Sequence, residues 1–159
     1  MRVLGLRAEP EAFNWAISEG TIEAPILVAV DRVAGPRGYS DPELLNHLRA
    51  RLLLITKQHK PDSAGLRTPE PIARGGGEPA KKRLRVEGVL LAVCGELGLN
   101  VTLGAIVTIN SLLGSKSAKL FLNSDEFRGI NWSDYTQAKR EAILIGTSLL
   151  PGEAHADHR

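Results

Sequence analysis

The sequence contains a single cysteine, Cys94, which limits the covalent and metal chemistry open to it. An intrachain disulfide requires two thiols, and a cysteine-based zinc site requires several, so both are excluded. The four histidines do not fill this gap. His47 and His59 match no metal-ligand spacing, and His155 and His158 lie in the last few residues of the sequence.

Long apolar segments are also missing, because no apolar run approaches the length needed to span a bilayer. No signal-peptide pattern precedes the first apolar segment, so we expect a cytoplasmic protein without a membrane partner. The composition, 43% hydrophobic and 24% charged over 159 residues, is that of an ordinary globular protein. This length favours one domain, which we expect at residues 1–150, followed by a polar tail at residues 151–159.

An excess of charge is absent as well, since the formal net charge is only +2. Total charge therefore does not indicate a nucleic-acid partner. The basic residues are unevenly spread, however, and residues 67–85 contain six Lys or Arg against two Glu. Such a basic segment is the usual electrostatic footprint of phosphate binding, although a solvated junction between a loop and a helix can have the same composition.

The first twenty residues carry the pattern around which the other elements are arranged. Residues 3–6 form a short apolar run, and residues 8–11 have the composition of a turn. Residues 13–18 then alternate between large apolar side chains and small or polar ones. A period of two is typical of a strand with one buried face, so this stretch predicts two antiparallel strands.

The remaining elements follow from periodicity and from cap residues. A third strand is predicted at residues 25–33, and a helix that Ser40 or Asp41 caps is predicted to end near residue 60. Later elements are a short strand at 61–67, a helix at 80–97 that Gly98 ends, a strand at 101–109, an irregular connection at 121–132 and a last helix capped by Asp134.

This arrangement resembles the RuvC-like branch of the ribonuclease H superfamily. In that branch the first strand reads apolar-Gly-apolar-Asp and the second begins with an aromatic residue; here the residues are Gly5-Leu6-Arg7 and Trp15. Residues 61–67 resemble the fourth strand of the family, which begins Pro-Asp and ends with a Glu, and residues 108–114 resemble the short helix after its fifth strand. The resemblance covers roughly residues 1–150. It implies an α/β fold with a five-stranded mixed sheet, three antiparallel strands and then parallel strands, flanked by helices.

The resemblance also implies where a metal site would lie. Nucleases of this fold hold two Mg²⁺ or Mn²⁺ ions with carboxylates from the first strand, the fourth strand and the last helix. Here the first two of these positions are Arg7 and Arg67. The last-helix pattern Asp-x-x-Asp-Ala falls on residues 138–142, where only Glu141 retains an acid. The resemblance therefore implies a degenerate site without a metal, a cofactor or a catalytic residue.

Two hypotheses for Arg7 and Arg67 remain open. A guanidinium presents five donors suited to phosphate or carboxylate, so the pair could form an anion-binding pocket at the former metal site. Alternatively, the two arginines could pair with Glu141, Glu9 or Glu70 and hold the sheet to the last helix, because buried charges usually occur in pairs.

The resulting functional hypothesis is a non-catalytic protein that binds the backbone of DNA or RNA, or a subunit of a nucleic-acid-processing complex. Basic residues near the predicted site, at the start of the second long helix and in the loop after residue 114 are the candidate contacts. They are Arg7, Arg67, Arg74, Lys81, Lys82, Arg83, Arg85, Lys116 and Lys119. Trp15 and Trp132 could stack on bases, but core packing is their more usual role.

Two alternatives stay open. The first is an active Mg²⁺- or Mn²⁺-dependent endonuclease with relocated carboxylates. Arg67, the glycines at 75–77 and then Glu87 follow one another in an order that resembles some small RuvC-like proteins. Its candidate catalytic residues are Glu9, Glu70, Glu87 and Glu141. The second is a homodimeric scaffold subunit, since proteins of this kind often dimerise and the second long helix has an apolar stripe. That stripe consists of Val86, Val89, Leu90, Val93 and Leu97.

Overall fold

The computed structural model describes residues 1–70, 76–114 and 118–153. The first elements are β1 (Val3–Glu9), β2 (Ala12–Gly20), β3 (Pro25–Ala34), α1 (Asp41–His59), β4 (Ser63–Arg67) and α2 (Glu78–Glu96). They are followed by β5 (Asn100–Gly104), α3 (Ile106–Leu113), α4 (Ala118–Leu122), β6 (Glu126–Phe127), β7 (Ile130–Asn131) and α5 (Gln137–Ser148). Every helix in these ranges is too short or too polar to span a bilayer.

The five long strands form one mixed sheet in the order β3-β2-β1-β4-β5. Strands β1, β2 and β3 are antiparallel neighbours, whereas β4 runs parallel to both β1 and β5. Helices cover both faces of this sheet. The α/β fold class predicted above, with three antiparallel strands followed by parallel ones, is therefore confirmed.

The two faces of β1 lie against different helices, because successive side chains of a strand point to opposite sides. Leu4 and Leu6 belong to the core layer that α1 and α2 cover. Gly5 lies against α5 on the other face, since a Cβ built on it would meet the carbonyl oxygen of Ala142. Arg7 continues the second series, which places its side chain on the α5 side of the sheet.

Helix α1 begins, and helix α2 ends, close to the positions that the sequence predicts. The hydroxyl of Ser40 accepts a hydrogen bond from the backbone N–H of Glu43, and Pro42 lies in the first turn of α1. Helix α2 ends at Glu96, just before Gly98 at a φ of +69°. A left-handed glycine after the last turn is a common way to end a helix.

The apolar stripe of α2 lies mainly in the protein's own core. Val86, Leu90 and Val93 are buried beneath the sheet, and only Leu97 at the end of the helix is substantially exposed. The buried members of the stripe therefore stabilise this fold, whereas Leu97 and, outside the stripe, Leu84 are exposed.

The predicted strand at residues 101–109 is wrong beyond Gly104, because α3 begins at Ile106. A short apolar run fits either a strand or a helix, and here the chain changes direction at Ala105. The predicted cap Asp134 is also wrong. The hydroxyl of Thr136 caps α5 instead and accepts from the N–H of Lys139.

The connection at residues 121–132 is more regular than expected, because it contains the end of α4 and the β6–β7 hairpin. Phe127 and Trp132 stack with ring centroids 5.2 Å apart, and both side chains are fully buried. Trp132 also donates its indole N–H to the carbonyl of Ser124 at 3.0 Å. Trp132 is thus a core residue, as Trp15 is, and neither is presented to stack on a base.

The first residues after the expected domain end are attached to the β2–β3 loop. The N–H of Ile22 donates to the carbonyl of Pro151 at 3.0 Å, and the N–H of Glu153 donates to Glu23 Oε2 at 3.1 Å. These bonds hold residues 151 and 153 against the β2–β3 loop. The rest of the predicted tail, residues 154–159, lies outside the described residues.

Candidate functional site

The carboxyl ends of β1 and β4 bring Arg7 and Arg67 together. The two residues are direct partners in the parallel pairing of these strands, and Arg7 Nη1 donates to the carbonyl of Arg67 at 3.2 Å. Glu141 on α5 lies opposite them. Its Oε2 is 2.7 Å from Arg7 Nε, and its Oε1 is 3.8 Å from Arg67 Nη2.

This Arg7–Glu141–Arg67 network is largely withdrawn from solvent. The exposed fractions of the three side chains are 16%, 7% and 6% in that order. Burial lowers the pKa of Arg7, the Glu141 carboxylate opposes this, and the nearby guanidinium of Arg67 adds to the lowering. An arginine remains a cation in proteins, so this environment costs stability unless a carboxylate is present. Glu141 meets that need.

Glu70 makes a second contact with Arg67. Its Oε1 accepts a hydrogen bond from Arg67 Nη2 at 3.0 Å and another from the backbone N–H of Ile106 at 3.0 Å. Ile106 is the first residue of α3, so this carboxylate lies where the helix carries its partial positive charge. Arg67 also donates from Nη1 to the carbonyl of Thr68.

Arg83 and Glu87 form a looser pair on α2, next to Arg7. Arg83 Nε lies 3.8 Å from Glu87 Oε1, and neither atom has a hydrogen-bond partner within the described part of the chain. Burial raises the pKa of the Glu87 carboxyl, while the charges of Arg83 and Arg7 act in the opposite direction. The Glu87 carboxyl is thus buried, and the charges of Arg83 and Arg7 offset only part of the effect of that burial on its pKa.

Replacing Glu87 by glutamine is expected to raise the free energy of unfolding near pH 7 by less than about 1 kcal/mol, because a buried charge without a hydrogen bond is removed. The folded-state pKa of Glu87 is raised, so its charge costs stability above that pKa. Below the pKa of the unfolded chain the carboxyl is protonated in both states, and the cost disappears. Urea unfolding near pH 7 and near pH 4 should show a gain that shrinks at the lower pH. A loss near pH 7 would mean that the Arg83 ion pair outweighs burial.

Glu9 lies on β1 but is held by other partners. It accepts from Asn14 Nδ2 at 2.7 Å and from Arg32 Nε at 2.8 Å. Burial acts to raise the pKa of Glu9, yet the hydrogen bonds from Arg32 and Asn14, with the charges of Arg32 and Arg7, outweigh it and hold the pKa below its usual value. Glu9 is therefore a stable carboxylate fixed toward β2 and β3.

These carboxylates do not fit a divalent-metal site. Magnesium and manganese need several oxygen ligands that converge on one point. Across residues 1–70, 76–114 and 118–153, no three His, Cys, Asp or Glu side chains converge in this way. Each acid of the alternative set instead has its own arginine: Glu9 has Arg32, Glu70 has Arg67, Glu87 has Arg83 and Glu141 has Arg7.

The exposed basic residues at the start of α2 are also paired. Lys81 lies 3.7 Å from Glu78, Lys82 lies 3.1 Å from Glu11, and Arg85 lies 3.5 Å from Asp41. This segment is consequently less positive than its sequence suggests. Two other predicted contacts, Arg74 and Lys116, lie outside the described residues, together with Gly75.

Two pockets flank the Arg7–Glu141–Arg67 network. The larger, of about 440 Å³, lies between α3, α4 and α5. Its walls include Arg67, Glu70, Ile106, Lys119, Asn123, Gln137 and Glu141. The smaller, of about 310 Å³, is lined by Arg7, Glu9, Arg83 and Glu141 among others. A third pocket, an apolar one of about 460 Å³ near Leu53 and Leu97, lies away from this chemistry.

Asn123 and Gln137 also line the larger pocket and were not predicted from the sequence. Neither residue belongs to a recognisable motif, so no signal pointed to them. The pairing of Arg83 with Glu87 could have been found, because residues four apart lie on the same face of a helix.

Comparison with known proteins gives matches at the level of structure only. No family model and no curated protein matches the chain. T. thermophilus RuvC in complex with Holliday junction substrate superposes with a TM-score of 0.75 at 16% identity, over 93% of this chain and 92% of that one. Another Thermus thermophilus RuvC structure gives a TM-score of 0.74 at 17% identity over the same shares of the two chains.

A more distant match extends the comparison to a eukaryote. The yeast mitochondrial Holliday junction resolvase gives a TM-score of 0.55 at 12% identity, covering 92% of this chain and 78% of that one. At such identities the similarity establishes the fold. The chain therefore has the RuvC-like form of the ribonuclease H fold, as the resemblance of its sequence implied.

Proposed function

We propose that this protein binds nucleic acid without cleaving it, at the carboxyl ends of β1 and β4. The observation that carries the proposal is the position of Glu141 between Arg7 and Arg67. The fold supports a nucleic-acid partner, because one of the structures that share it is a RuvC in complex with Holliday junction substrate. Arginines would then occupy the positions at which metal-binding acids are expected.

The chemistry of the network favours binding over hydrolysis. Both oxygens of Glu141 face guanidinium groups, so a metal ion brought to them would meet two positive charges at short range. Arginine has no accessible neutral form with which to accept a proton from water. Its planar donors suit the oxygens of a phosphate instead. The two arginines can therefore attract anions, while the one carboxylate of the network has both oxygens directed at guanidinium groups.

Cations on both sides of the network would supply most of the contacts with the nucleic-acid backbone. Lys82, Arg85 and the partly exposed Arg83 lie on the α2 side, and Lys119 lies on the α4 side. The surface ion pairs of α2 are each worth about 0–1 kcal/mol, so these side chains can exchange a carboxylate for a phosphate at little cost.

Binding of a four-way DNA junction and of a DNA–RNA hybrid, followed on gels with and without Mg²⁺ or Mn²⁺, tests the proposal. We expect binding without cleavage, with an affinity that falls steeply as salt rises. The double variant Lys82→Ala/Arg85→Ala should bind more weakly and reduce the slope of log affinity against log salt by roughly 1.8, since each lost phosphate contact contributes about 0.9. Lys57→Ala/Lys60→Ala, at the far end of α1, is the matched control and should leave the slope unchanged.

Other outcomes would select among the alternatives. Metal-dependent cleavage that Glu87→Gln or Glu141→Gln abolishes would replace the proposal with the endonuclease hypothesis. Absence of both binding and cleavage would leave the scaffold hypothesis, and the search would move to protein partners.

A further inference from the structure

The larger pocket beside the network contains an anion position that the protein itself fills. Two donors of different kinds meet there, the guanidinium of Arg67 and the backbone N–H of Ile106 at the start of α3. Both donate to the same oxygen, Oε1 of Glu70, at 3.0 Å. An arginine together with a helix N-terminus is a combination that proteins use to bind phosphate groups. The Glu70 carboxylate thus lies where a phosphate oxygen would fit.

Arg67 also retains an unused donor. Its side chain is only 6% exposed and lines the pocket, and its Nε, a buried atom, has no acceptor among the residues that the structure describes. Buried donors are nearly always satisfied, so this N–H is one to which the described residues supply no acceptor. Lys119 on the pocket wall forms no ion pair within the described ranges, which leaves its charge for the same purpose.

We propose that this pocket binds a phosphate group and that the Glu70 carboxylate occupies the phosphate position until a phosphate displaces it. The Glu70 side chain is 41% exposed, so it can turn into solvent without disturbing the core. A phosphate that takes its place restores a negative charge beside Arg67 and accepts the N–H of Ile106. The inference rests on the proposed function insofar as the phosphate belongs to a nucleic acid; free phosphate is the other source of the same chemistry.

The first experiment is a titration with inorganic phosphate, followed by NMR at the amide of Ile106. Glu70→Gln should bind phosphate about five- to tenfold more tightly than the unmodified protein, because a competing negative charge at the helix N-terminus is lost. Glu96→Gln is the matched control. Glu96 also pairs with an arginine at 3.0 Å, but it lies at the far end of α2, so its replacement should leave the phosphate affinity unchanged.

Lys119→Ala provides a second variant at an exposed position, where a failure to fold is not expected. It should weaken phosphate binding by about threefold, the effect of one surface charge, while Lys57→Ala should not. If phosphate leaves the Ile106 amide unmoved, or if neither Glu70→Gln nor Lys119→Ala changes the phosphate affinity, the inference is overturned.

Titration of the same proteins with the four-way junction identifies the source of the phosphate. Tighter binding of both junction and inorganic phosphate by Glu70→Gln would assign the pocket to the nucleic-acid backbone. Tighter binding of inorganic phosphate alone would assign it to free phosphate, which still supports the pocket. If the unmodified protein binds the junction, but Glu70→Gln changes neither the junction affinity nor the phosphate affinity, the proposed function is retained and this inference is rejected. If Glu70→Gln strengthens phosphate binding in a protein that binds no nucleic acid, this inference is retained and the proposed function is rejected.

Discussion

Replacing Glu141 by glutamine is expected to lower the free energy of unfolding by about 3 kcal/mol, the lower end of the cost of breaking a buried ion pair. The change preserves the shape of the side chain but removes the charge that Arg7 and Arg67 share. Arg67 keeps Glu70 as a partner at 3.0 Å. Arg7 loses the 2.7 Å contact, which is its only ion pair within the described residues, and its cation remains mostly buried. This difference between the two arginines is why the lower end of the range applies.

Urea unfolding measures this loss, and an unchanged dependence on urea would show that the folded state stays compact. Glu96→Gln serves as the control. It breaks an exposed pair with Arg49 and should cost at most about 1 kcal/mol. Adding Arg7→Gln to Glu141→Gln should recover part of the loss, with a coupling of about 1–3 kcal/mol in a double-mutant cycle. Equal costs at Glu141 and Glu96 would contradict a structural role for the network.

An arginine at a position where metal ligands are expected affects both metal binding and the stability of the fold. A cluster of carboxylates repels itself unless cations are bound, so its charge balance depends on metal. Here guanidiniums that are part of the chain supply the positive charge, and Glu141 balances them. The same contacts that join the sheet to α5 also occupy both oxygens of Glu141. Under the proposed function, loss of metal chemistry and gain of a structural ion pair would be one change.

Much of the fold could be predicted from sequence because its first hairpin has a clear period of two and its long helices carry caps. The resemblance also predicts that the strands carrying Arg7 and Arg67 are neighbours, as the pairing of β1 with β4 confirms, but it does not predict whether the two side chains enter one cleft. The choice among Glu141, Glu9 and Glu70 as their partners could not. Side chains that bridge distant elements depend on packing distances, and Glu70 reaches an N–H that lies 36 positions away in sequence.

The two wrong element boundaries have similar causes. The run from Val101 to Ile109 is mostly apolar. Gly104 packs against Ile145 where the strand ends, and Glu70 accepts from the N–H of Ile106 where the helix begins. Asp134 and Thr136 are both good cap residues. The turn in which the N–H of Tyr135 donates to the carbonyl of Trp132 delays the helix, so the later residue becomes the cap. A tertiary contact accompanies the first boundary and a local turn the second, and in each case the competing local structures have similar propensity.

Replacing Gly5 by alanine is expected to cost at least about 3 kcal/mol of stability, at the upper end of overpacking effects. A Cβ at this position would clash with the carbonyl oxygen of Ala142 and lie 2.9 Å from the backbone nitrogen of Gly146. Both atoms belong to the backbone of α5, so no side chain can rotate to make room. The helix would have to move off the sheet. Glu141, the residue before Ala142, would move with it and away from Arg7.

The matched control is Gly88→Ala on α2, where no atom lies within 4 Å of the added Cβ. An exposed helical glycine replaced by alanine should raise stability by up to about 1 kcal/mol, so the same substitution is expected to act in opposite directions at the two sites. Urea unfolding of both variants measures this. The Nε–H resonance of Arg7 then reports whether its contact with Glu141 survives in any Gly5→Ala protein that folds. A loss below about 1 kcal/mol with that resonance unchanged would contradict direct packing of α5 on the backbone of β1, because overpacking of such a contact costs more.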